Sequence, residues 1–216
     1  MNPLTSLAGH PCRRGFPFLI PLFFFFSVSV LTAIEVNAHP DVYEALPPDT
    51  IVAQYGLGDL TGDPARELAV LFTAGGETRL AIFTAQKGRW ALLIESPAPR
   101  LGFEAGTPHC LEMVDANLDG RDEILTHSLS LRDNSMITRI VKLEKADGTS
   151  PSLRVLLEDV ISPPGYPLFG IEKGMPSVTF LKMPQEDGGA GYRRVYCWKG
   201  DRFERCIEET WKEQLR

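Results

Sequence analysis

The sequence predicts an all-β fold of about three four-stranded, propeller-like units, forming an open or incomplete propeller. Two observations carry that expectation. Short runs rich in branched and aromatic residues recur along the chain, broken by Gly, Pro and Asp clusters, the pattern of many short strands rather than of helices. A strand–Gly turn–strand pattern also returns three times, which points to a repeat architecture.

The first 38 residues stand apart. Arg13 and Arg14 precede Phe16–Ile34, a run of nineteen residues without a charge, and Val36-Asn37-Ala38 follows with small residues at its ends. This is the three-part layout of a secretory signal, with cleavage expected after Ala38 and His39 as the first mature residue. The alternative is an uncleaved N-terminal membrane anchor, although Pro17, Pro21, Ser27, Ser29 and Thr32 weaken a span. Either way the protein is expected to be exported, periplasmic or secreted, and no other stretch is long and apolar enough to cross a bilayer. Residues 39–49 are expected to be a linker.

Strands are then expected at Ile51–Tyr55, Leu68–Phe72, Thr78–Phe83 and Trp90–Ile94 in a first unit spanning about 50–98. A second unit, about 108–162, is expected to hold Leu111–Val114, Ile124–Leu129, Ile137–Leu143 and Leu153–Val160. A third, about 165–210, holds Ser177–Leu181, Arg193–Trp198 and Phe203–Ile207. The repeated hairpins open at Arg79, Arg139 and Arg194 and turn at Gln86-Lys87-Gly88, Ala146-Asp147-Gly148 and Lys199-Gly200-Asp201. Segments around Pro97 and Pro99, and at Ser162-Pro163-Pro164-Gly165, are rich in turn formers, as boundaries between repeats should be. Glu208–Leu215 is expected to form a short C-terminal helix that could cap the array, with 211–216 as a tail.

Composition bounds the function. Hydrophobic residues make up 44% and charged residues 23% of the 216, which is ordinary globular composition and excludes a disordered chain. The formal net charge of −6 argues against a nucleic-acid binder.

Two acidic loops carry the chemistry. Asp59-Leu-Thr-Gly-Asp-Pro-Ala-Arg-Glu67 lines up with Asp115-Ala-Asn-Leu-Asp-Gly-Arg-Asp-Glu123 at an offset of 56 residues. In the second loop, alternate side chains of Asp115, Asn117 and Asp119 can turn inward, with Glu123 closing the set and the Arg121 carbonyl as a backbone ligand. Oxygen donors of this kind suit Ca2+. The alternative is an Asp-rich turn that satisfies itself through side chain-to-backbone hydrogen bonds. The spacing is not that of an EF-hand, whose twelfth position is Thr126 here. In the first loop Asp59, Thr61, Asp63 and Glu67 form a weaker set, because Pro64 replaces the glycine that follows the third acidic position.

At these two loops the chain resembles the FG-GAP or VCBS repeat family, the blades of integrin-α-like β-propellers. The motif residues are Gly58-Asp59-Leu60-Thr61-Gly62-Asp63 with Glu67-Leu68, and Asp115 to Leu125. The resemblance implies an extracellular or periplasmic propeller with calcium-binding loops, and no enzyme activity by itself. The third unit shares only its terminal hairpin, and three blades fall short of the roughly four needed to close a ring. Self-association is one way to complete it.

Cysteine usage fits export. Beyond Cys12 the chain holds Cys110, Cys197 and Cys206, expected as one disulfide and one free thiol in an oxidising compartment. Cys197 and Cys206 flank one hairpin turn. In a regular ladder they are diagonal neighbours, too far apart for an unstrained bridge, and a β-bulge or a turn one residue longer would bring them together. Cys110 is then the free thiol.

The remaining polar residues form no catalytic set. Ser128 and Ser130 lie near His127 and Asp133 without a nucleophile elbow. Gly188–Gly191 lacks the helix and the Lys-Ser/Thr pair of a phosphate cradle. Trp90, Trp198 and Phe203 are expected to pack between units rather than to stack on sugars, and His39, followed by Pro40, is not expected to hold copper. The function expected is an exported, non-catalytic, calcium-stabilised β-repeat module that binds a protein or glycan. A secreted metal-dependent enzyme, or a structural envelope protein with a vestigial acidic loop, is the alternative.

Overall fold

The computed structural model describes residues 40–96, 109–130, 134–144, 150–162, 165–184 and 189–211. The expected signal or anchor, the cleavage site and His39 lie outside them, as do Asp133, the Asp147-Gly148 turn, Gly188 and residues 212–216. No helix among the described residues is long and apolar enough to cross a membrane.

The described residues form twelve strands in three antiparallel four-stranded sheets, each in sequential order. Sheet 1 holds β1 (Ile51–Gly58), β2 (Glu67–Ala74), β3 (Glu77–Gln86) and β4 (Arg89–Glu95). Sheet 2 holds β5 (His109–Val114), β6 (Glu123–Ser130), β7 (Ser135–Glu144) and β8 (Ser152–Ile161). Sheet 3 holds β9 (Leu168–Glu172), β10 (Met175–Lys182), β11 (Gly191–Trp198) and β12 (Phe203–Trp211). The sheets thus span 51–95, 109–161 and 168–211.

Two-residue turns with positive φ at both positions join β2 to β3 (Gly75-Gly76), β3 to β4 (Lys87-Gly88) and β9 to β10 (Lys173-Gly174). Their backbone twist matches that of the strands they join.

The sheets stack face to face. Leu71, Leu80 and Ile82 of sheet 1 pack against Leu111, Ile124 and Val141 of sheet 2. The opposite face of sheet 2, with Leu125, Ile140 and Leu157, packs on Val178, Phe180 and Phe203 of sheet 3. Burial on both faces explains why β2 reads Leu-Ala-Val-Leu-Phe without alternation: all five residues are buried. Sheets 1 and 2 approach most closely along β1 and β5, whereas sheets 2 and 3 do so along β8 and β12. The two junctions thus close on different edges.

Four expectations change. The supposed linker contains helix α1 (Pro40–Ala45), which buries Val42 and, with Leu46, covers the outer face of sheet 1 over Val70, Phe72 and Phe83. Trp90, expected to pack between units, instead packs against this outer cluster of sheet 1 and α1, because it lies on β4 beside the helix. Glu208–Trp211, expected as the start of a C-terminal helix, continue β12 instead. Their charges match those across the sheet: Glu208 lies opposite Arg194 and Glu209 opposite Arg193, and such pairs favour the ladder. Finally, β9 is a strand the sequence reading passed over.

Cys197 and Cys206 are bonded, with Cα atoms 5.8 Å apart. Cys197 lies opposite Glu204, as a regular hairpin requires, but the register shifts between Val195 and Tyr196: Val195 pairs with Ile207 and Tyr196 with Arg205. Cys206 is thus the extra residue of a bulge, which brings it to Cys197. Cys110 is free. Replacing both bonded cysteines by alanine should lower unfolding stability by about 2–3 kcal/mol, the loop-closure contribution for about ten residues. Urea midpoints of the two proteins measure this, and coincident curves would show that the bridge adds nothing.

Candidate metal-binding loops

The second acidic loop joins β5 to β6. Asp115 follows the end of β5 and turns both carboxylate oxygens onto the loop backbone, accepting from the N–H groups of Asp119 and Gly120, each at 3.0 Å. Asn117 Oδ1 also accepts from Asp119 N at 2.9 Å, and Asp119 Oδ1 accepts from Arg121 N at 3.0 Å. Glu123, fully buried at the start of β6, accepts from Ala116 N at 3.1 Å. The amide nitrogen of Asn117 donates to Asp119 Oδ2 and Glu123 Oε1, both at 3.1 Å.

A cation already sits among these oxygens. Ile124 pairs with Val141, which places Lys142 beside Glu123 across the ladder. Its Nζ lies 2.6 Å from Asp119 Oδ2 and 3.2 Å from Glu123 Oε1. Burial opposes charge on all three groups. For Lys142 the two carboxylates outweigh it and raise the pKa. For Asp119 the Lys142 ammonium and the Arg121 amide outweigh it and hold the carboxyl below its usual range. For Glu123 burial wins over Lys142 and the pKa rises.

The first loop repeats part of this bonding, although Asp59 accepts from Gly62 N at 2.6 Å and Pro64, in the place of Gly120, has no N–H to give. Leu60 N donates to Glu67 Oε2 at 3.0 Å, as Ala116 N does to Glu123. Thr61 Oγ1 donates to Glu67 Oε1 at 3.2 Å, the place taken by Asn117. Ala65 N donates to Asp63 Oδ1 at 2.7 Å, the place taken by Arg121 N on Asp119. Gly62 (φ 79°) corresponds to Leu118 (φ 59°). Both occupy the left-handed region, which is natural for glycine and strained for leucine. The loops differ in their cross-strand neighbour. Glu67 faces Thr84, so burial raises its pKa with no ammonium nearby to oppose it.

The two loops also hold each other. Asp59 N donates to Asp122 Oδ2 at 2.9 Å, and Asp122 N returns a bond to Asp59 O at 2.7 Å. A Cβ on Gly58 would lie 2.7 Å from Asp122 Oδ2, and one on Gly62 would lie 2.4 Å from Arg121 Nε. A side chain at either position would therefore push against the facing loop. Asp122 and Lys142 escaped the sequence reading: Asp122 lies between two expected ligands, and Lys142 is 19 residues past Glu123.

This arrangement does not fit Ca2+. The ion needs about six to eight oxygens converging on one centre at 2.3–2.6 Å. Here the oxygens of Asp115 and Asp119 are committed to backbone amides and to Lys142, and Asn117 presents nitrogen rather than oxygen. Among the described residues no group of three or more His, Cys, Asp or Glu side chains is arranged to hold a metal. The hydrogen-bonded Asp-rich turn, the other sequence expectation, describes the loop as it stands.

A second polar cluster lies between sheets 2 and 3. Cys110, His127, Thr138 and Asp159 form one row across sheet 2. His127 Nδ1 is 3.0 Å from Thr138 Oγ1, and its ring meets Tyr166 edge-on at 5.0 Å. Tyr166 donates to Glu112 at 3.1 Å and lies 3.6 Å from the Cys110 sulfur. Burial raises the Cys110 thiol pKa and lowers that of His127, so both favour neutral forms. Ser128 follows His127 in β6 and faces the opposite side of the sheet. The rings of Trp198 and Phe203 meet at 5.1 Å, tilted by 58°, and pack in the core between sheets 2 and 3, as expected. Comparison with family models, with curated proteins and with solved structures finds no match to this chain.

Proposed function

We infer that the chain is an exported, non-catalytic β-repeat module, an open stack of three propeller-like units, that binds a protein partner by strand addition at β9. The observation that carries this reading is the state of its sheet edges. The edges of β1 and β5 face each other, and Gln54 Oε1 accepts from Leu111 N. Asp41 of α1 accepts from Trp90 N on β4. Arg194 donates to the Val160 carbonyl on β8. β12 carries Glu204, Arg205, Glu208 and Glu209, charges of the kind that keep an edge from pairing.

Among the described residues nothing gives β9 such protection. Leu168, Phe169, Gly170 and Ile171 are all exposed, with Ile171 at 68%. Glu172 and Met175 flank the two-residue turn, so the residues bonded to β10 are Glu172, Gly170 and Leu168. Phe169 and Ile171 then direct N–H and C=O outward. Pro176, which has no N–H, sits opposite Ile171 at a non-bonded position. An extended segment fits such an edge better than a glycan, because backbone hydrogen bonds supply affinity and exposed apolar side chains supply contact. The disulfide fits an oxidising compartment, and burial favours the neutral forms of Cys110 and His127, which does not suit an activated nucleophile.

The test uses protein isolated from the exported fraction, where its N-terminus should be His39. Phe169→Lys combined with Ile171→Lys should weaken capture of the partner at least tenfold while leaving the thermal unfolding temperature within about 2 °C. A second copy of the chain counts as such a partner, and gel filtration of the two proteins reads that case. Unchanged capture and unchanged oligomeric state would refute strand addition at β9.

A further inference from the structure

The two acidic loops share the bonds around their buried glutamates, and differ in what stands beside each: Thr84 beside Glu67, Lys142 beside Glu123. The geometry points to Lys142 as the resident cation of the second loop, a tethered ammonium held between Asp119 and Glu123 where a divalent ion would otherwise bind, so that the loop assembles without metal.

Four features support this. The ammonium contacts Asp119 Oδ2 at 2.6 Å and Glu123 Oε1 at 3.2 Å, with the Lys142 side chain only 16% exposed. The third carboxylate, Asp115, is satisfied by two backbone amides rather than left facing the others. Asn117 turns its amide nitrogen to the same two carboxylate oxygens that Lys142 touches, which suits oxygens collecting N–H donors and would oppose a metal. Lastly, Lys142 interrupts an otherwise apolar stretch of β7: Ile140, Val141 and Leu143 around it are all buried. A lysine there is costly unless its charge is used. For Ca2+ to enter, it would have to displace this ammonium, rotate Asn117 and free the oxygens of Asp115 from the backbone.

The experiment compares thermal unfolding of the full chain in chelator and in millimolar-order CaCl2. Wild type should melt at the same temperature in both, within about 1 °C. Lys142→Met, which keeps the stem and removes the charge, should melt on the order of 5–10 °C lower, and Lys142→Arg should recover most of the loss. Adding Glu123→Gln to Lys142→Met should raise the melting temperature above that of Lys142→Met alone, since the uncompensated buried carboxylate is gone. Should Lys142→Met not fold, the amide NMR signals of Gly120 and Arg121 in wild type carry the test, and they should not move on calcium addition. A wild-type melting temperature that climbs several degrees with calcium, shifts in those amide signals, or a Lys142→Met variant as stable as wild type would overturn the proposal.

Discussion

Replacing Glu123 by glutamine should cost about 2–3 kcal/mol of unfolding stability, whereas Glu67→Gln should cost less than about 1 kcal/mol. The two residues occupy equivalent places and accept equivalent bonds from Ala116 N and Leu60 N. Glutamine has nearly the same shape and retains one acceptor oxygen, so the exchange isolates the charge. At Glu123 that charge faces the Lys142 ammonium at 3.2 Å, and Glu123 is fully buried. Removing one member of a buried pair leaves the other poorly compensated. At Glu67 no ammonium is present, and burial already favours the protonated form.

The pH dependence does not separate the two glutamates, because burial raises the pKa of both. A carboxyl whose pKa is raised on folding gives its greatest contribution below the unfolded value, and that contribution is lost as pH rises through the folded value. Glu67 therefore weakens the fold slightly at neutral pH, and Glu67→Gln should remove this dependence. Asp119, whose pKa is lowered, acts in the opposite sense: its contribution is present above the unfolded value and is lost as pH falls through the folded one. Urea midpoints of the two glutamine variants at neutral pH decide the matter. Equal losses would mean that Lys142 does not distinguish the loops.

Most of the fold was written in local patterns. Two-residue turns such as Lys87-Gly88 and the apolar runs of β2 and β3 are visible in the chain, because a hairpin is a short-range structure with strong turn chemistry. The Cys197–Cys206 bridge needed one non-local fact, the bulge at Cys206. The acidic loops were legible as loops, and their internal bonds are local. Their chemistry was not, because the cation comes from β7. A sequence reading that counts ligands within a loop overlooks a lysine brought in by strand register. The same reason hid the clasp between Asp59 and Asp122, 63 residues apart. The missed strand β9 is a different case. At five residues, with Gly170 in the middle and all but Glu172 exposed, it lacks the alternation by which a half-buried strand is recognised.

Helix α1 is the hardest element to see and the one whose loss should matter most. It has six residues, far too few for a helix to be stable by itself, and Pro40, Pro47 and Pro48 around it suggest a linker. Its only internal signal is Val42 and Leu46, four residues apart and both buried. The cause lies in sheet 1, whose outer face carries Leu68, Val70, Phe72, Ala81 and Phe83. That face needs a cover, and α1 with Leu46 supplies it while Asp41 caps the β4 backbone at Trp90. Val42→Asp would place an unpaired carboxylate against these side chains, and should cost about 4 kcal/mol or more. Tyr43→Asp, one residue along on the exposed side, should stay within about 0.5 kcal/mol of wild type. Urea unfolding of both variants, with binding of a hydrophobic dye to report opening of the sheet 1 face, tests the helix as part of the core. If Val42→Asp and Tyr43→Asp unfold alike, residues 40–46 are a tether after all, and the outer face of sheet 1 is covered by something else.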